Sequence, residues 1–486
     1  WSWSTYLYME GCTVDSTIYG VMSFADAHIG NTTIDVLWDD WYWGVGSFDT
    51  YGLYAGYGDY SLHNLDINID ADMNGTRNST YISNYYYIYG IYIYSANVGR
   101  LEPDRNKEFS IDIDIDLEIW SYYETSSYVR FYNRFYTRAI YMSGDTICRA
   151  IKDIDIDVSE DVKCVANNAS RGAYFRVYNY QEYIYSSISS SGEAPSEISG
   201  ITMSGFGAVP HTQGEVYMLM ESWSNTAIEI RDADGAQPGD VVTSYNNIMI
   251  EGGKYDIVFY LPRYGEWILT DSTFDGIEAR RILEFYYTDM DFIVAQNKFV
   301  NITAMNDYTV LFRLYRPQAE GLLNNNTFSN IEGWRFMEIY YADDRVYFQN
   351  NLVTDQLPWE HSYDSWFWIY ENQDRVVFRW NTFSDSMYYN GMILTEWTRD
   401  KFVLEANTIE NNEFMEYMFR SYRNYNDIDI VSNVIQWNTG PLLENDYVYG
   451  RWTVSDNEFM NNDVGADYLI YTYRAYNEMK ITDNKF

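Results

Sequence analysis

The stretch FVLEANTI at residues 402–409 carries the phrase that decides the fold: apolar, any, apolar, two residues, Asn, any, apolar. Nine copies of this phrase occur between residues 267 and 486. Two are imperfect, because Gly321 takes the first apolar place of one copy and Ser272 takes the Asn place of another. Successive copies lie 24 to 30 residues apart, and a repeat of this length indicates a solenoid of stacked coils.

The apolar places alternate with period two, which predicts strands with alternate side chains turned inward rather than helices. Asn suits the bend between two strands because it tolerates the left-handed conformation and its amide can bond neighbouring backbone. If the bends of successive coils coincide, the amides stack about 4.8 Å apart and can bond to one another. This predicted asparagine row consists of Ser272, Asn297, Asn326, Asn351, Asn381, Asn407, Asn433, Asn457 and Asn484.

The phrase resembles the repeat of right-handed parallel β-helices in the pectin-lyase-like superfamily, whose coils carry an Asn ladder at one bend. The resemblance covers residues 267–486 and implies an all-β fold, a single right-handed parallel β-helix. At about 26 residues per coil, the chain would form roughly 18 coils. We expect one continuous helix over residues 1–486. Residues 1–266 would form looser, Asp- and Tyr-rich coils with inserted loops, and residues 267–486 the regular coils. Within the first part, residues 186–214 are expected as a loosened coil or a loop, and residues 231–240 as a polar loop.

Composition limits the classes of partner. The formal net charge is −39, from 71 Asp and Glu against 32 Lys and Arg, which argues against nucleic acids and anionic membranes. No apolar run is long enough to span a membrane. The sequence starts without a signal core and stops inside a repeat phrase, so we expect a longer parent chain. Cys148 and Cys164 are expected either as buried free thiols or as a bridge between successive strands.

Ile and Asp alternate strictly in residues 111–116, and the alternation of apolar and acidic residues continues to residue 119, which predicts Ile inward and Asp outward. Outward carboxylates on stacked strands would lie roughly 5 or 10 Å apart and repel, and Ca²⁺ would relieve this repulsion. In the alternative, the carboxylates are solvated and only prevent edge association. The candidate Ca²⁺ ligands are Asp66, Asp70, Asp112, Asp114, Asp116, Asp155 and Asp157.

A second alternation places Tyr on the outer face, for example at residues 88–94, and suits either a solvated β-face or a contact surface for glycans. Six sequons also occur, and a chain that is acidic, repetitive and poor in Cys favours a glycoprotein that is extracellular or at the cell surface. The candidate glycosylation sites are Asn31, Asn74, Asn78, Asn168, Asn301 and Asn325.

The resemblance also admits enzymes that act on polysaccharides. The family's hydrolases carry a Gly-His-Gly turn, and no His of this chain lies between glycines. Its esterases carry two phrases that residues 291–295 and 314–318 match only in part. A Ca²⁺-dependent lyase would need carboxylates and a basic residue, and the sequence singles out no particular Arg.

We therefore expect a structural protein that assembles with copies of itself, end to end or laterally, into a filament, sheath or surface appendage. The alternatives are an adhesin or glycan-binding β-helix and a Ca²⁺-dependent polysaccharide lyase. Contacts that bury coil ends would favour the filament, and a concave Trp/Tyr groove would favour glycan binding. A compact polar cleft with one Arg among carboxylates would favour the enzyme.

Overall fold

A computed structural model gives the fold. It describes residues 6–10, 13–16, 19–42, 46–76, 81–102, 111–124, 129–167, 173–189, 191–193, 195–204, 209–214, 216–230, 242–260, 264–286, 289–305, 309–359, 365–465 and 467–486. The regular secondary structure of these residues is β-strand throughout, with no helix. Accordingly, none of them belongs to a helix that could cross a membrane.

The strands are numbered in chain order. The first seventeen are β1 (Tyr6–Glu10), β2 (Thr13–Ser16), β3 (Tyr19–Ser23), β4 (Asp26–Tyr42), β5 (Gly46–Gly56), β6 (Tyr60–Thr76), β7 (Tyr81–Tyr94), β8 (Asn97–Leu101), β9 (Ile111–Glu124), β10 (Val129–Gly144), β11 (Ile147–Asn167), β12 (Ala173–Ile188), β13 (Glu197–Ser204), β14 (Val209–Gly214), β15 (Val216–Ile230), β16 (Val242–Glu251) and β17 (Lys254–Tyr260).

The remaining strands are shorter. They are β18 (Tyr264–Thr270), β19 (Thr273–Asp275), β20 (Glu278–Tyr286), β21 (Asp289–Ala295), β22 (Lys298–Ala304), β23 (Val310–Tyr315), β24 (Gly321–Asn324), β25 (Thr327–Gly333), β26 (Arg335–Tyr340), β27 (Val346–Gln349), β28 (Leu352–Thr354), β29 (Leu357–Pro358), β30 (Phe367–Tyr370), β31 (Val376–Arg379), β32 (Thr382–Ser384), β33 (Met387–Tyr388), β34 (Ile393–Glu396), β35 (Phe402–Glu405), β36 (Thr408–Glu410), β37 (Glu413–Phe414), β38 (Phe419–Tyr422), β39 (Ile428–Val431), β40 (Val434–Gln436), β41 (Leu443–Asp446), β42 (Trp452–Ser455), β43 (Glu458–Met460), β44 (Ile470–Thr472) and β45 (Met479–Thr482).

The chain divides into two compact units. The first comprises Trp1–Ala236 and Ile248–Tyr260, and the second comprises Gln237–Asn247 and Leu261–Phe486. Strand β16 contributes residues to both. The single continuous helix expected over residues 1–486 stays a prediction.

The first unit winds between two sets of long parallel strands. One set pairs in the order β3, β5, β7, β10, β12, β15 and β17. The other is built on β4, β6, β9 and β11, with β1, β2, β8, β13 and β14 paired alongside. Strands β13 and β14 fall inside the stretch 186–214, for which the sequence predicts a loosened coil or a loop, and they correspond to the loosened coil. The loop expected at 231–240 lies outside the described residues.

Two glycines let the two strand sets of the first unit approach closely. A Cβ placed on Gly52 would lie 2.4 Å from Cγ2 of Ile67 and 2.7 Å from the carbonyl oxygen of Gly90. A Cβ on Gly90 would meet Ile113 and the carbonyl of Ala139 in the same way, at 2.6 Å each. The isoleucines therefore pack directly on glycine backbone, a contact that a larger residue would prevent.

The second unit has three main sets of parallel strands, besides a separate small pair formed by β33 and β37. Those before the asparagine bend pair in the order β18, β21, β24, β27, β31, β35, β39, β42 and β45. Those after it pair in the order β19, β22, β25, β28, β32, β36, β40 and β43. The third set, β20, β23, β26, β30, β34, β38, β41 and β44, completes each coil.

The core of the second unit follows the repeat phrase. Phe402, Leu404 and Ile409 are each at most 1% exposed, as the period of two predicts. Rings at equivalent places of successive coils stack, with the centroids of Phe274 and Phe299 4.8 Å apart and their planes at 8°. The fold class is thus confirmed as an all-β parallel solenoid.

The bend itself corrects one part of the sequence argument. The left-handed residue is the one before each Asn, for example Trp380 (φ 57°) before Asn381 and Ala406 (φ 53°) before Asn407. Asn is therefore not needed at this bend for its backbone conformation. Its role lies in the amide, which turns inward because the left-handed residue redirects the chain.

The positions of Cys148 and Cys164 contradict the alternative in which they bridge successive strands. Cys148 and Cys164 lie on the same strand, β11, rather than on successive strands. Cys148 is a buried free thiol, and burial raises its pKa to about 12. Cys12 and the side chain of Cys164 lie outside the described part of the chain.

Candidate functional site

The asparagine row forms a continuous set of buried hydrogen bonds along the second unit. In Asn381, for example, Nδ2 donates to Oδ1 of Asn407 at 2.9 Å and to the carbonyl oxygen of Phe348 at 2.8 Å. The backbone N–H of Asn381 donates to the same Oδ1 at 2.9 Å. Each amide thus joins two coils and also bonds a backbone carbonyl, which leaves few of its hydrogen-bonding groups unsatisfied.

The same pattern holds along the row. Amide-to-amide distances from Asn297 to Asn484 are 2.9 to 3.1 Å. Members from Ser272 to Asn457 are at most 2% exposed. Ser272 has no amide to donate; instead, its hydroxyl donates to the carbonyl of Thr270 and its backbone N–H donates to Asn297. A buried amide without these partners would cost about 1–3 kcal/mol.

A second buried row, which the sequence analysis missed, lies five residues after the first. Its amide-to-amide bonds run from Asn412 to Asn438 at 3.2 Å and from Asn438 to Asn462 at 3.1 Å. At its other end, Ser386 accepts the N–H of Gln356 through its hydroxyl. The steps between members repeat those of the first row, and this repetition is the signal that could have revealed it. The second row consists of Gln356, Ser386, Asn412, Asn438 and Asn462.

The proposed Ca²⁺ ligands lie in register columns on the first unit. Asp112 stands opposite Asp66 on one side and Asp155 on the other. Asp114 stands opposite Asp157. All of these side chains are exposed except Asp66, which is half-buried.

A further pair, Asp70 and Asp116, is also in register, although the side chain of Asp116 is not described. Burial raises the pKa of Asp66, and the neighbouring carboxylates of Asp112 and Asp35 raise it further. Within the described ranges, no group of three or more His, Cys, Asp or Glu is arranged to hold a metal ion. Ca²⁺ binding therefore stays a prediction.

Tyrosines cover one face of the first unit. Tyr51 stacks between Tyr19 and Tyr89, with ring centroids 5.5 and 5.1 Å away. Arg138 lies on this face and forms a largely buried ion pair with Glu182. The rings are packed against one another, and Tyr89 is only 6% exposed. The face is therefore a packed aromatic layer rather than an open groove.

A second face, called here the polar–aromatic face, consists of outward side chains on the third strand set of the second unit. It has two columns in register. One comprises Glu284, Arg313, Glu338, Trp368, Leu394, Arg420 and Glu444, and the other comprises Tyr315, Tyr340, Tyr370, Glu396, Tyr422 and Asp446.

The first part of the polar–aromatic face is a network of charges. Arg313 lies 3.3 Å from Glu284 and 3.9 Å from Glu338. Arg335 lies 3.3 Å from Glu338, and its guanidinium carbon lies 4.2 Å from the ring centroid of Trp368. Arg335 is 5% and Glu338 7% exposed, so this network is held together by mutual pairing and a cation–π contact.

The second part places one arginine between two carboxylates. Arg420 lies 3.3 Å from Glu444 and 3.6 Å from Asp446. The hydroxyl of Tyr468 donates to Glu444 at 2.7 Å. Burial is the main cause that raises the pKa of Asp446; Arg420 opposes this shift and Glu444 adds to it. Such a cluster can bind sugar hydroxyls, and a carboxyl with a raised pKa can also transfer protons.

The two esterase-like phrases have structural places. Phe292 and Val294 are buried core residues of β21. Arg316 occupies a left-handed bend position, φ 52°, and its guanidinium carbon lies 4.8 Å from the ring centroid of Tyr341. The repeat explains Phe292 and Val294, and the bend position explains Arg316.

Two of the sequons lie at exposed bends of the second unit. Asn325 (φ 55°) and Asn301 (φ 53°) are both exposed. Nδ2 of Asn301, the atom to which a glycan would be attached, donates to Asp275 at 2.7 Å. Asn325 is therefore the better placed of the two.

The other sequons belong to the first half of the chain. Asn31 is half-buried, and its Oδ1 accepts a bond from Nδ2 of Asn64 at 3.0 Å. Only the backbone of Asn74 is described, in β6. Asn78 and Asn168 lie outside the described residues.

Comparison of the chain with protein-family models, curated proteins and solved structures found no match.

Proposed function

We propose that this protein is a structural β-solenoid, extracellular or at the cell surface, that serves as a subunit of a filament, sheath or appendage. The observation that carries the proposal is the asparagine row, in which one amide per coil bonds the next coil. A body of this kind is tied together along its length, so that opening one coil breaks bonds in its neighbours. Such bonding makes the solenoid stiff.

We place its repeat with the right-handed β-helices of the pectin-lyase-like superfamily. The phrase and the buried amide at the bend support this assignment, which concerns the fold and carries no activity with it. The net charge of −39 and the exposed sequon at Asn325 support an extracellular location with glycosylation.

Self-association follows from this proposal, because the outermost strands of any solenoid leave backbone groups that can pair with those of a second copy.

Electron microscopy of the purified full chain tests the proposal. We expect filaments that lengthen with protein concentration. Single particles at every concentration would contradict self-assembly.

Glycan binding is a second candidate, and the polar–aromatic face favours it. Tyr340 and Tyr370 stack there with centroids 4.6 Å apart, beside the charged column that contains Arg313 and Arg420. Tyrosine rings next to charged hydrogen-bonding groups suit sugar surfaces. Titration with neutral and acidic polysaccharides should show binding that Tyr370→Ala weakens. Trp437→Ala, which changes a bend residue outside this face, should leave binding unchanged.

The same titration separates binding from catalysis. Arg420 between Glu444 and Asp446 is the arrangement that a polysaccharide-cleaving enzyme would need, so the reaction mixtures should also be analysed for shorter products. Binding without cleavage would support an adhesin. Cleavage that Asp446→Asn abolishes would support an enzyme and would argue against a purely structural protein.

A further inference from the structure

Three tyrosines form an exposed row at one bend of the second unit. The row, called here the exposed tyrosine row, consists of Tyr425, Tyr449 and Tyr476. The ring centroids of Tyr425 and Tyr449 are 5.2 Å apart with planes at 11°, and those of Tyr449 and Tyr476 are 4.6 Å apart with planes at 5°. The three residues are 50%, 42% and 55% exposed. Each ring is thus in contact with the next coil's ring, while each side chain stays partly accessible to solvent.

The backbone beneath the row fixes this spacing. The N–H of Tyr449 donates to the carbonyl of Asn424 at 2.8 Å, and the N–H of Tyr476 donates to the carbonyl of Val448 at 2.8 Å. Asn424 directly precedes Tyr425, and Val448 directly precedes Tyr449. Each of these hydrogen bonds therefore joins two coils within one residue of the rings. The rings are held at the spacing of adjacent parallel strands, about 4.8 Å.

The side chain of Asn424 anchors the bend from inside. It is fully buried, and its Nδ2 donates to the carbonyl of Thr395 at 3.0 Å and to the hydroxyl of Ser421 at 2.9 Å. Its Oδ1 accepts the N–H of Thr398 at 2.9 Å. The row is supported by a rigid bend, so the proximity of the rings is a lasting feature of the fold.

The first unit provides a natural comparison. Tyr51 and Tyr89 have nearly the same ring geometry, with centroids 5.1 Å apart and planes at 12°. Tyr89, however, is only 6% exposed. The two pairs of rings have nearly the same separation but differ in exposure to solvent. Comparing the reactivity of their phenols therefore distinguishes the effect of ring separation from the effect of exposure.

We propose that the exposed tyrosine row is a site of oxidative coupling, where a peroxide-dependent one-electron oxidant links tyrosines of successive coils through a carbon–carbon bond. The oxidant removes one electron and one proton from each of two phenols. The two phenoxyl radicals join at the carbons ortho to their oxygens, and the two ortho hydrogens then shift to the oxygens. Overall, two tyrosines and one hydrogen peroxide give one dityrosine and two waters.

Coupling would add a covalent bond between coils that the buried rows already join by hydrogen bonds. This chemistry is independent of the structural role proposed above, because it requires only two accessible phenols at coil spacing. A protein that binds glycans through the polar–aromatic face would carry the same site.

Treatment of the dilute full chain with a haem peroxidase and hydrogen peroxide tests the proposal. We expect dityrosine fluorescence from monomeric protein. Peptide mass spectrometry should find Tyr449 joined to Tyr425 or to Tyr476, with the loss of two hydrogens. Tyr449→Phe should lose most of the coupled product, because it keeps the stacked ring and leaves the remaining two phenols a further coil apart.

The matched control is Tyr89→Phe, which removes a stacked but buried phenol and should leave the yield unchanged. Thermal melting of both variants shows whether the fold is retained. Coupling spread over other tyrosines, a yield that Tyr449→Phe does not lower, or links only between separate molecules would each overturn the proposal.

Discussion

Asn381 donates its side-chain amide to Oδ1 of Asn407 at 2.9 Å, although 26 residues separate them in the sequence. The same Oδ1 also accepts the backbone N–H of Asn381. One carbonyl oxygen therefore holds both the side chain and the backbone of the preceding coil. This two-point attachment explains why the row needs an amide at the position and why Ser272 can stand at its first place, where no preceding amide side chain of the row needs an acceptor.

Replacing Asn407 by Ala tests the cost of breaking the row. The change removes both bonds that Asn381 donates to Asn407 and the bond that Asn407 donates to the Phe378 carbonyl, so buried groups lose these partners. We expect a loss of about 1–3 kcal/mol in the free energy of unfolding, measured by denaturant titration.

The control is Asn477→Ala, which truncates an exposed asparagine and should change stability by no more than about 0.5 kcal/mol. Equal stability of Asn407→Ala and wild type would mean that the row contributes nothing net.

Ala406 offers a change in the opposite direction. It holds a left-handed conformation at φ 53°, which Gly adopts without steric cost. Ala406→Gly should therefore raise the free energy of unfolding by up to about 1 kcal/mol, after allowance for the greater entropy of the unfolded chain. Ala342→Gly, at a buried position without positive φ, should destabilise instead. A loss of stability in both variants would contradict the bend geometry.

Asp66 should make stability depend on pH. Burial, together with Asp112 and Asp35, raises its pKa in the folded chain. Between the ordinary and the raised pKa, the folded chain holds more protons than the unfolded chain, so stability falls as pH rises through this interval. Asp66→Asn should be more stable than wild type above the raised pKa, and the gain should vanish below the ordinary range of Asp.

The comparison variant is Asp155→Asn, which removes an exposed carboxylate from the same column and shares only the general effect of lower negative charge. Identical pH profiles of Asp66→Asn and Asp155→Asn would show that the position of Asp66 is unimportant.

Calcium should act on the same carboxylates. Because they meet in pairs across the register, Ca²⁺ would take most of its ligands from water, and binding should fall in the millimolar range typical of weak extracellular sites. We expect CaCl₂ to raise the melting temperature of wild type more than that of the double variant Asp66→Asn/Asp112→Asn. Equal shifts, or none, would favour solvated carboxylates.

Sequence reasoning located the core of the second unit because its period of two is independent of residue size. Phe402, Leu404 and Ile409 follow from alternation alone. The second buried row was missed because its earlier coils carry Ile277, Ile302 and Ile331 at the equivalent bend, so the polar pattern starts only at Gln356. Amide partners at a bend cannot be inferred until the stacking of the coils is known.

The sequence also does not predict which residues adopt the left-handed conformation. Trp380 and Ala406 have no intrinsic preference for positive φ, and their conformation is imposed by the strands on either side. In the first unit, alternation predicted outward Asp residues, but the register decides which of them meet. Asn68, for instance, lies opposite Asp114. Register depends on the lengths of the coils between strands, which the sequence shows less clearly.

The most direct test of the central claim is native-state hydrogen exchange, read residue by residue across the second unit. If the amide row ties the coils together, the backbone N–H groups of Asn351, Asn381, Asn407 and Asn433 should exchange as slowly as those of the core strands. Asn407→Ala should speed exchange in the coils on both sides of residue 407. Fast exchange at these four amides in wild type, at rates typical of exposed loops, would contradict the account.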